Sequence, residues 1–213
     1  MNTTVYFIRH AERLKVEVLN YQGSYQSKTE AEPLSVSGEE KAKRLSKIDD
    51  LNKLDLVVSS HYARTIATAK YIADRNQLNL YVDERFGEIK KRFKSWHEKL
   101  PDGFYVKLFD DENYRLGNSE SLKEVCERTY DAFLELLNKN QGKRIALVFH
   151  GVAMGSLLKK WCNIQLDGRS SKITFNGELI FNDYITTPEI FKLVFNENNE
   201  LIAINHIKVD YGG

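Results

Sequence analysis

The segment Thr4-Val5-Tyr6-Phe7-Ile8-Arg9-His10 decides the fold of this chain. Residues 4–8 are all β-branched or aromatic, and such a short uninterrupted run is typical of a strand that is buried on both faces of a sheet. Arg9 and His10 follow the run directly, so the sequence predicts two polar side chains at the point where this strand ends.

The chain on either side alternates strand patterns with helix patterns. Apolar runs predict further strands at residues 55–59, 79–82 and 144–149. Amphipathic periods and capping residues predict helices at residues 37–48, with Ser37 as N-cap, and at residues 63–75, 119–138 and 152–161. This alternation predicts an α/β fold, a mainly parallel, doubly wound sheet with helices on both faces.

Three other segments have patterns of their own. Residues 11–34 are polar and without a period, which predicts a loop, whereas residues 83–118 are long and irregular, a feature that is usually functional in a compact domain. Residues 172–209 alternate apolar and polar side chains between turn signals, which predicts antiparallel strands that extend the sheet at its edge. We expect one domain over residues 1–213, with a cap-like insertion at about residues 89–118.

The composition excludes several classes of protein. Of the 213 residues 42% are apolar, and 31 basic residues balance 30 acidic ones, so no charge surplus indicates a nucleic-acid partner. Cys126 and Cys162 are too few and too far apart for a disulfide framework or a zinc cluster, which favours free thiols in a reducing compartment. The start of the sequence lacks the pattern of a signal peptide, and no run approaches the roughly 18 apolar residues of a membrane span. We therefore expect a cytoplasmic protein without a membrane partner.

Polar side chains follow several of the predicted strands. Arg9 and His10 follow the first strand, Arg64 the second and His150 the fourth, and Glu88 lies past the third. Because ligands bind outside the carboxyl ends of the strands in such sheets, we expect these side chains to share one cleft.

This set of side chains suits phosphoryl transfer. The planar guanidinium of an arginine binds phosphate oxygens through two parallel hydrogen bonds. A neutral imidazole such as that of His10 can attack phosphorus and form a covalent intermediate. A carboxylic acid must then protonate the leaving oxygen, and Glu88 is the candidate. Each residue alone has an ordinary interpretation, since a lone Glu88 is more often a surface acid and a lone His10 is as often a hydrogen-bonded strand end. Only their common position favours the functional interpretation.

The same residues resemble a known family. Phe7-Ile8-Arg9-His10-Ala11-Glu12 is similar to the Arg-His-Gly-Glu signature of the histidine phosphatase superfamily, also called the phosphoglycerate mutase-like family. Four further segments resemble its motifs in the same order: Pro33-Leu34-Ser35-Val36-Ser37-Gly38, Ser59-Ser60-His61-Tyr62-Ala63-Arg64-Thr65, Ser119-Glu120-Ser121 and Val148-Phe149-His150-Gly151. The resemblance covers about residues 4–160.

The resemblance implies roles for particular residues. It implies a phosphate pocket of Arg9, His10, Arg64 and His150, in which His10 is phosphorylated during turnover. It implies Glu88 as proton donor, with Glu84 close by as the alternative. It implies no metal and no organic cofactor, and it makes residues 90–118 the cap over the substrate.

Some positions depart from the family pattern. Ala11 replaces a glycine, His61 replaces a proline, and Val16 stands where the family often has an asparagine that contacts the substrate phosphate. Gln22 is a candidate for that missing polar contact. These departures concern the substrate more than the reaction.

The sequence favours hydrolysis over mutase chemistry. The segment after Glu88 does not resemble that of the true mutases, so we expect a metal-independent hydrolase that acts on a small phosphorylated substrate. Two alternatives stay open: a phosphoglycerate mutase-type transfer, and an inactive phosphate-binding regulatory protein on the same fold. The basic residues 90–94 either form a solvated loop or attract an anionic substrate. The oligomeric state also stays open, with a homodimer as one option.

Overall fold

The computed structural model describes residues 1–17, 20, 22–93, 98–168 and 170–211. The strands are β1 (Thr3–Arg9), β2 (Leu56–Ser59), β3 (Leu80–Val82), β4 (Arg144–Phe149), β5 (Asn163–Asp167), β6 (Ser170–Phe175), β7 (Glu178–Tyr184), β8 (Glu189–Phe195) and β9 (Leu201–His206). The α-helices are α1 (Tyr25–Ala31), α2 (Val36–Leu45), α3 (Ala63–Asn76), α4 (Phe104–Asp110), α5 (Leu122–Lys139) and α6 (Gly151–Leu158). Short 3-10 helices lie at Asp49–Leu51 and Glu84–Phe86.

The central sheet has the strand order β3-β2-β4-β1-β8-β9. Strands β3, β2, β4 and β1 pair in parallel, so their carboxyl ends lie at one edge of the sheet. Strand β8 pairs antiparallel with β1, and β9 pairs antiparallel with β8. This arrangement confirms the predicted fold class, a mainly parallel sheet with antiparallel strands at its edge.

Strand β1 lies in the middle of the sheet and is buried on both faces. Val5 and Phe7 pack with the apolar side chains of α5 and α6, whereas Tyr6 and Ile8 pack with those of α2 and α3. All four side chains are fully buried. The uninterrupted apolar run of β1 follows from this burial, because alternate residues of a strand face opposite sides of its sheet.

Helix α5 confirms a predicted amphipathic helix. It begins with a capping box in which the Ser121 side chain accepts a hydrogen bond from the Glu124 amide and the Glu124 carboxylate accepts one from the Ser121 amide.

In the described part of the chain no helix is long and apolar enough to cross a membrane. Cys126 and Cys162 carry free thiols.

The prediction of a loop over residues 11–34 was wrong in part, because residues 25–31 form α1. Ser24 is the N-cap of this helix, and its side chain accepts a hydrogen bond from the Ser27 amide. None of the residues of α1 is fully buried, so the helix has no continuous apolar stripe by which the sequence could reveal it.

The prediction for the C-terminal strands also needs correction. Only β8 and β9 extend the central sheet, whereas β5, β6 and β7 form a separate three-stranded antiparallel sheet. Strand β5 begins at Asn163, ahead of the predicted strand region, because α6 ends at Leu158 rather than at residue 161. Alternation along the chain predicts that neighbouring strands pair, but it does not say which sheet a hairpin joins.

The irregular segment 83–118 contains structure of its own. It includes the 3-10 helix Glu84–Phe86 and helix α4, which packs against β5. The predicted cap at residues 89–118 covers residues 94–97, which lie outside the described residues. Its role as a cap stays a prediction.

The N-terminus of α2 differs from the predicted one. The N-cap is Ser35, whose Oγ accepts a hydrogen bond from the Gly38 amide at 3.0 Å, and Ser37 lies exposed within the first turn. The helix ends at Leu45, three residues before the predicted end. Gly38 packs directly on the backbone after β1, because a Cβ atom there would lie 2.0 Å from the carbonyl oxygen of Glu12.

We expect Ser35→Ala to lower the free energy of unfolding by about 1 kcal/mol, because the substitution removes the side-chain acceptor of the Gly38 amide. The matched control, Ser37→Ala, should change it by less than about 0.5 kcal/mol, as exposed substitutions away from caps usually do. Urea denaturation of both variants measures the difference. A larger effect at Ser37 would contradict the N-cap seen here.

Candidate active site

A cavity of about 630 Å³ lies at the carboxyl ends of the parallel strands. Its lining includes four of the predicted residues, Arg9, His10, Arg64 and Glu88. His150, the fifth, is fully buried behind them and contacts Arg64. Polar residues scattered over some 140 positions of the sequence therefore meet at one edge of the sheet, as the parallel topology requires.

His10 presents one ring nitrogen to this site. Its backbone amide donates to the Phe149 carbonyl at 3.0 Å, which continues the pairing of β1 with β4. Its Nδ1 lies 2.7 Å from the carbonyl oxygen of Ala11, and since a carbonyl only accepts, Nδ1 carries the proton. The lone pair therefore lies on Nε2, which accepts a hydrogen bond from Arg64 Nε at 3.1 Å.

The electrostatics of the site keep His10 uncharged. Burial lowers the pKa of His10 well below its usual value of about 6.5, and the nearby charges of Arg64 and Arg9 lower it further. The imidazole is therefore neutral at neutral pH, and its Nε2 lone pair accepts the hydrogen bond from Arg64.

The Arg64 guanidinium joins several parts of the fold. Besides His10, it donates from Nη1 to the Thr29 carbonyl at 2.6 Å and from Nη2 to His150 Nδ1 at 3.3 Å. The Glu32 carboxylate lies 4.0 Å from Nη1. Arg64 is only 4% exposed, so these contacts fix its orientation.

His150 is held by a chain of hydroxyl groups. Because His150 Nδ1 accepts from Arg64, Nε2 carries the proton and donates to Ser60 Oγ at 2.7 Å. Ser60 Oγ lies 2.8 Å from Thr65 Oγ1, which in turn donates to the Tyr62 carbonyl at 2.8 Å. Burial lowers the pKa of His150 well below its usual value, and Arg64 and His10 lower it further, so this ring is also neutral.

Arg9 has an unused donor in the site. Its Nη1 donates to the Ile185 carbonyl and, at 3.4 Å, to the Thr186 carbonyl. Its Nε is buried and has no hydrogen-bond partner among the described residues. A Cβ atom on Gly151 would lie 3.3 Å from that Nε, so a glycine lets the start of α6 pack closely on the guanidinium. A buried donor of this kind suits an anion with free oxygen atoms.

A buried carboxylate supports the carbonyls that hold Arg9. Glu189 is 7% exposed, and its Oε2 accepts from the amide and the hydroxyl of Thr186, both at 3.0 Å. Its Oε1 lies 2.7 Å from His206 Nε2. No motif of the sequence connects Glu189 or His206 with the site, because they lie on the antiparallel strands β8 and β9.

Glu88 sits at the N-terminus of α6. Its Oε1 accepts from the amides of Ile89 at 3.0 Å and Ala153 at 3.1 Å, and its Oε2 accepts from the Val152 amide at 3.3 Å. The first amides of a helix favour negative charge, so they orient this carboxylate toward the cavity edge next to His150. Glu84, the alternative donor, is exposed and is not part of the cavity lining.

The backbone around Glu88 is tied to α5. Arg128 donates from Nη1 to the Gly87 carbonyl at 2.9 Å and from Nη2 to the Glu88 carbonyl at 3.1 Å. The same guanidinium pairs with Glu120, whose Oε2 accepts from the Lys90 amide at 2.8 Å. The Ser119-Glu120-Ser121 motif thus positions the segment that carries Glu88.

The remaining predicted contact lies elsewhere. Gln22 is exposed and does not line the cavity, whereas Gln26 does and donates to the Tyr62 hydroxyl at 2.6 Å. In the described ranges no group of three or more His, Cys, Asp or Glu side chains is placed to hold a metal ion.

The sequence profile of the histidine phosphatase superfamily (branch 1) matches residues 5–184. This chain belongs to that superfamily. One relative is the probable phosphoglycerate mutase GpmB of Salmonella arizonae. It is 28% identical to this chain over 183 residues, which cover 80% of this chain and 82% of the relative.

Solved structures of two phosphatases share the fold of this chain. A mycobacterial glucosyl-3-phosphoglycerate phosphatase superposes with a TM-score of 0.64 at 19% identity, over 99% of this chain and 98% of the other. A phosphoserine phosphatase from Entamoeba histolytica gives a TM-score of 0.63 at 19% identity, over 97% and 98%. These similarities show the shared fold, and the superfamily match supports a phosphoryl-transfer enzyme.

The two buried imidazoles predict that stability falls in mild acid. The folded protein keeps His10 and His150 neutral, whereas the unfolded chain binds a proton on each of them below a pH of about 6.5. Acidification therefore stabilises the unfolded state relative to the folded state. Each histidine should contribute a slope of about 1.4 kcal/mol per pH unit below that pH. Urea denaturation of wild type and His10→Gln in phosphate-free buffer from pH 5 to 8.5 measures this slope. Below pH 6.5 the free energy of unfolding of His10→Gln should fall less steeply with acidification than that of wild type, by about 1.4 kcal/mol per pH unit. Above pH 7.5 the two slopes should be equal. Equal slopes over the whole pH range would contradict a neutral, buried His10.

The Glu189 contacts predict a role in anion binding. Glu189→Ala removes the acceptor of the Thr186 amide and should loosen the carbonyls that hold Arg9, so the affinity for inorganic phosphate should fall about tenfold, equivalent to about 1.4 kcal/mol. Glu178→Ala, at an exposed position on β7, is the control and should bind phosphate like wild type. Titration calorimetry measures both affinities. Equal affinities in the two variants would show that the Glu189 contacts do not support Arg9.

Proposed function

We propose that this chain hydrolyses phosphomonoesters through a phosphohistidine formed on His10. The observation that carries the proposal is the state of His10: a neutral, buried imidazole whose Nε2 accepts from Arg64 in a cavity that Arg9 also lines. A neutral nitrogen nucleophile next to guanidinium groups fits attack on a phosphoryl group, whose charge lies on its peripheral oxygens.

Substrate binding would free the nucleophile. In the structure Arg64 Nε donates to the lone pair of His10 Nε2, which blocks attack. A phosphoryl oxygen is a better acceptor for a guanidinium than a neutral imidazole is, so the entering group would take the Arg64 hydrogen bond and the free Nε–H of Arg9. Binding of the phosphoryl group and release of the lone pair are then one event.

The first chemical step forms one bond and breaks one. His10 Nε2 attacks phosphorus, the bond from phosphorus to the ester oxygen breaks with its electron pair on that oxygen, and Glu88 in its protonated form donates the proton. The positive charge that His10 gains is stabilised by the hydrogen bond from Nδ1 to the Ala11 carbonyl. His150 and its hydroxyl chain hold Arg64 in place throughout.

The second step returns the enzyme to its starting state. Glu88, now a carboxylate, takes a proton from a water molecule whose oxygen attacks phosphorus. The bond from phosphorus to His10 Nε2 breaks, its electron pair returns to the ring, and phosphate leaves. No metal or organic cofactor takes part in this scheme. We place the activity in the cytoplasm, where both thiols would stay reduced.

Transfer back to an organic acceptor, as in a mutase, is the second candidate, and the name of the Salmonella arizonae relative favours it. A mutase must keep water from the phosphohistidine until the acceptor has turned. Here the cavity lining includes the exposed side chains of Lys15 and Tyr184, so the cavity is open to solvent, which favours hydrolysis. The predicted cap, residues 89–118, contributes Lys91, Tyr105 and Phe109 to that lining.

His10 and Glu88 variants test the mechanism. With p-nitrophenyl phosphate and EDTA, wild type should release phosphate and His10→Ala should be at least about 10³-fold slower, because it lacks the nucleophile. Glu88→Gln should slow turnover of an alkyl phosphate, whose leaving oxygen needs a proton, by about 10²- to 10⁴-fold. With p-nitrophenyl phosphate, whose leaving group departs without a proton, the same variant should accumulate phosphohistidine, which is detected by mass spectrometry under alkaline conditions. Glu84→Gln is the matched control and should keep wild-type activity.

Several outcomes would contradict the proposal. Undiminished activity of His10→Ala, or a requirement for a metal ion, would exclude the phosphohistidine route. Loss of activity in Glu84→Gln but not in Glu88→Gln would show that Glu84, and not Glu88, is the proton donor. Interconversion of 2- and 3-phosphoglycerate faster than their hydrolysis would establish the mutase, and tight phosphate binding without any turnover would establish the regulatory alternative.

A further inference from the structure

We propose that the cavity continues beyond the phosphate pocket into an apolar subsite, and that the preferred substrates are therefore phosphomonoesters of hydrophobic alcohols. This inference rests on hydrolysis at His10 and names the leaving group. It comes from the separate sheet β5-β6-β7, which forms one wall of the cavity and which the motifs of the sequence do not include.

The wall begins next to His150, on α6. Gly151, Val152 and Gly155 of this helix line the cavity. The ring of Phe109 in α4 packs onto Gly155 so closely that a Cβ atom there would lie 2.7 Å from the ring. An apolar surface thus starts within one helical turn of the phosphate pocket, and it is made of rigid, packed elements.

The wall continues on the face of β5 and β6. Ile164 and Leu166 are two residues apart on β5 and so face the same side, and Ile164 pairs with Ile173 of β6. All three line the cavity. Ile164 is 8% exposed and Ile173 is fully buried, so this part of the surface belongs to the hydrophobic core and is not a solvated loop.

The wall ends where it meets the phosphate pocket again. Tyr184, at the end of β7, and Ile185 line the cavity, and the Ile185 carbonyl accepts the hydrogen bond from Arg9. The chain from residue 151 to residue 185 therefore leaves the pocket beside His150 and returns to it at Arg9. A group attached to a phosphate held by Arg9 has this apolar wall beside it.

The charges of the cavity lining do not belong to this wall. Arg13, Lys15 and Lys91 line the cavity, but they come from the segment after β1 and from the segment after Glu88. The described lining residues between Gly151 and Ile185 carry no charged side chain. The wall that reaches Arg9 therefore favours an uncharged leaving group.

The test uses straight-chain alkyl phosphates from ethyl to hexyl. Their leaving alcohols are nearly equal in basicity, so differences in kcat/KM report contact with the cavity and not the chemistry. Each methylene that reaches the wall should raise kcat/KM by up to about fourfold, with ethyl phosphate the poorest substrate. The matching alkyl phosphonates cannot be hydrolysed. Their dissociation constants, measured by titration calorimetry, should fall with alkyl chain length in the same way as kcat/KM rises.

Two variants on the same small sheet locate the effect. Leu166→Ser changes a half-buried residue of the wall and should reduce the gain in kcat/KM per methylene. Leu179→Ser changes a residue of β7 that is 58% exposed and is not part of the cavity lining, and it should keep the wild-type dependence on chain length.

The outcomes separate the subsite from the reaction. Hydrolysis of all esters with no dependence on chain length, or faster turnover of an ester that ends in a carboxylate than of hexyl phosphate, would overturn the apolar subsite and leave the hydrolase intact. Phosphonate affinity that grows with chain length, without hydrolysis of any ester, would support the subsite and overturn the hydrolase. Phosphonate affinity that is the same for all lengths would overturn the subsite whatever the activity.

Discussion

The buried guanidinium of Arg64 is the interaction on which the site depends. A charge that is removed from water is costly unless hydrogen bonds replace its hydration, and Arg64 meets this demand with partners from separate parts of the chain. Its donors reach His10 after β1, Thr29 in α1 and His150 after β4. The same contacts that make the buried charge tolerable therefore define the pocket. These three hydrogen-bond partners are uncharged, and the Glu32 carboxylate, which lies 4.0 Å from Arg64 Nη1, is shared with Arg13, so positive charge remains available to an anion.

The sheet explains how much of this site could be predicted from the sequence. A buried strand that ends in Arg9 and His10, and another that ends before His150, must bring these residues together if the strands are parallel. The apolar runs are strong enough to establish the strands, and helices between them establish the parallel topology. The convergence of Arg9, His10, Arg64 and His150 is thus a consequence of local patterns. Glu88 follows only partly, since its place at the start of α6 depends on the tether from Arg128.

The remaining elements escaped prediction for physical reasons. Helix α1 has no fully buried residue, so its sequence has no apolar stripe, although the Thr29 carbonyl is a partner of Arg64. The pairing of β5, β6 and β7 into their own sheet depends on which surface they cover, and alternation along a strand does not encode that choice. Glu189 supports Arg9 through the backbone of Thr186, a contact without any side-chain pattern. Tertiary packing decides each of these features.

The position of Glu88 links the fold to the proposed reaction. Its carboxylate accepts from the first amides of α6, the helix that begins immediately after His150. A phosphoryl group bound by Arg9 and Arg64 would enter the cavity that Glu88 also lines. The same carboxyl group would then lie near the leaving oxygen in the first step and near the attacking water in the second. Because Arg128 holds the Glu88 backbone and the α6 amides hold its carboxylate, one side chain can serve both half-reactions without changing its place in the fold.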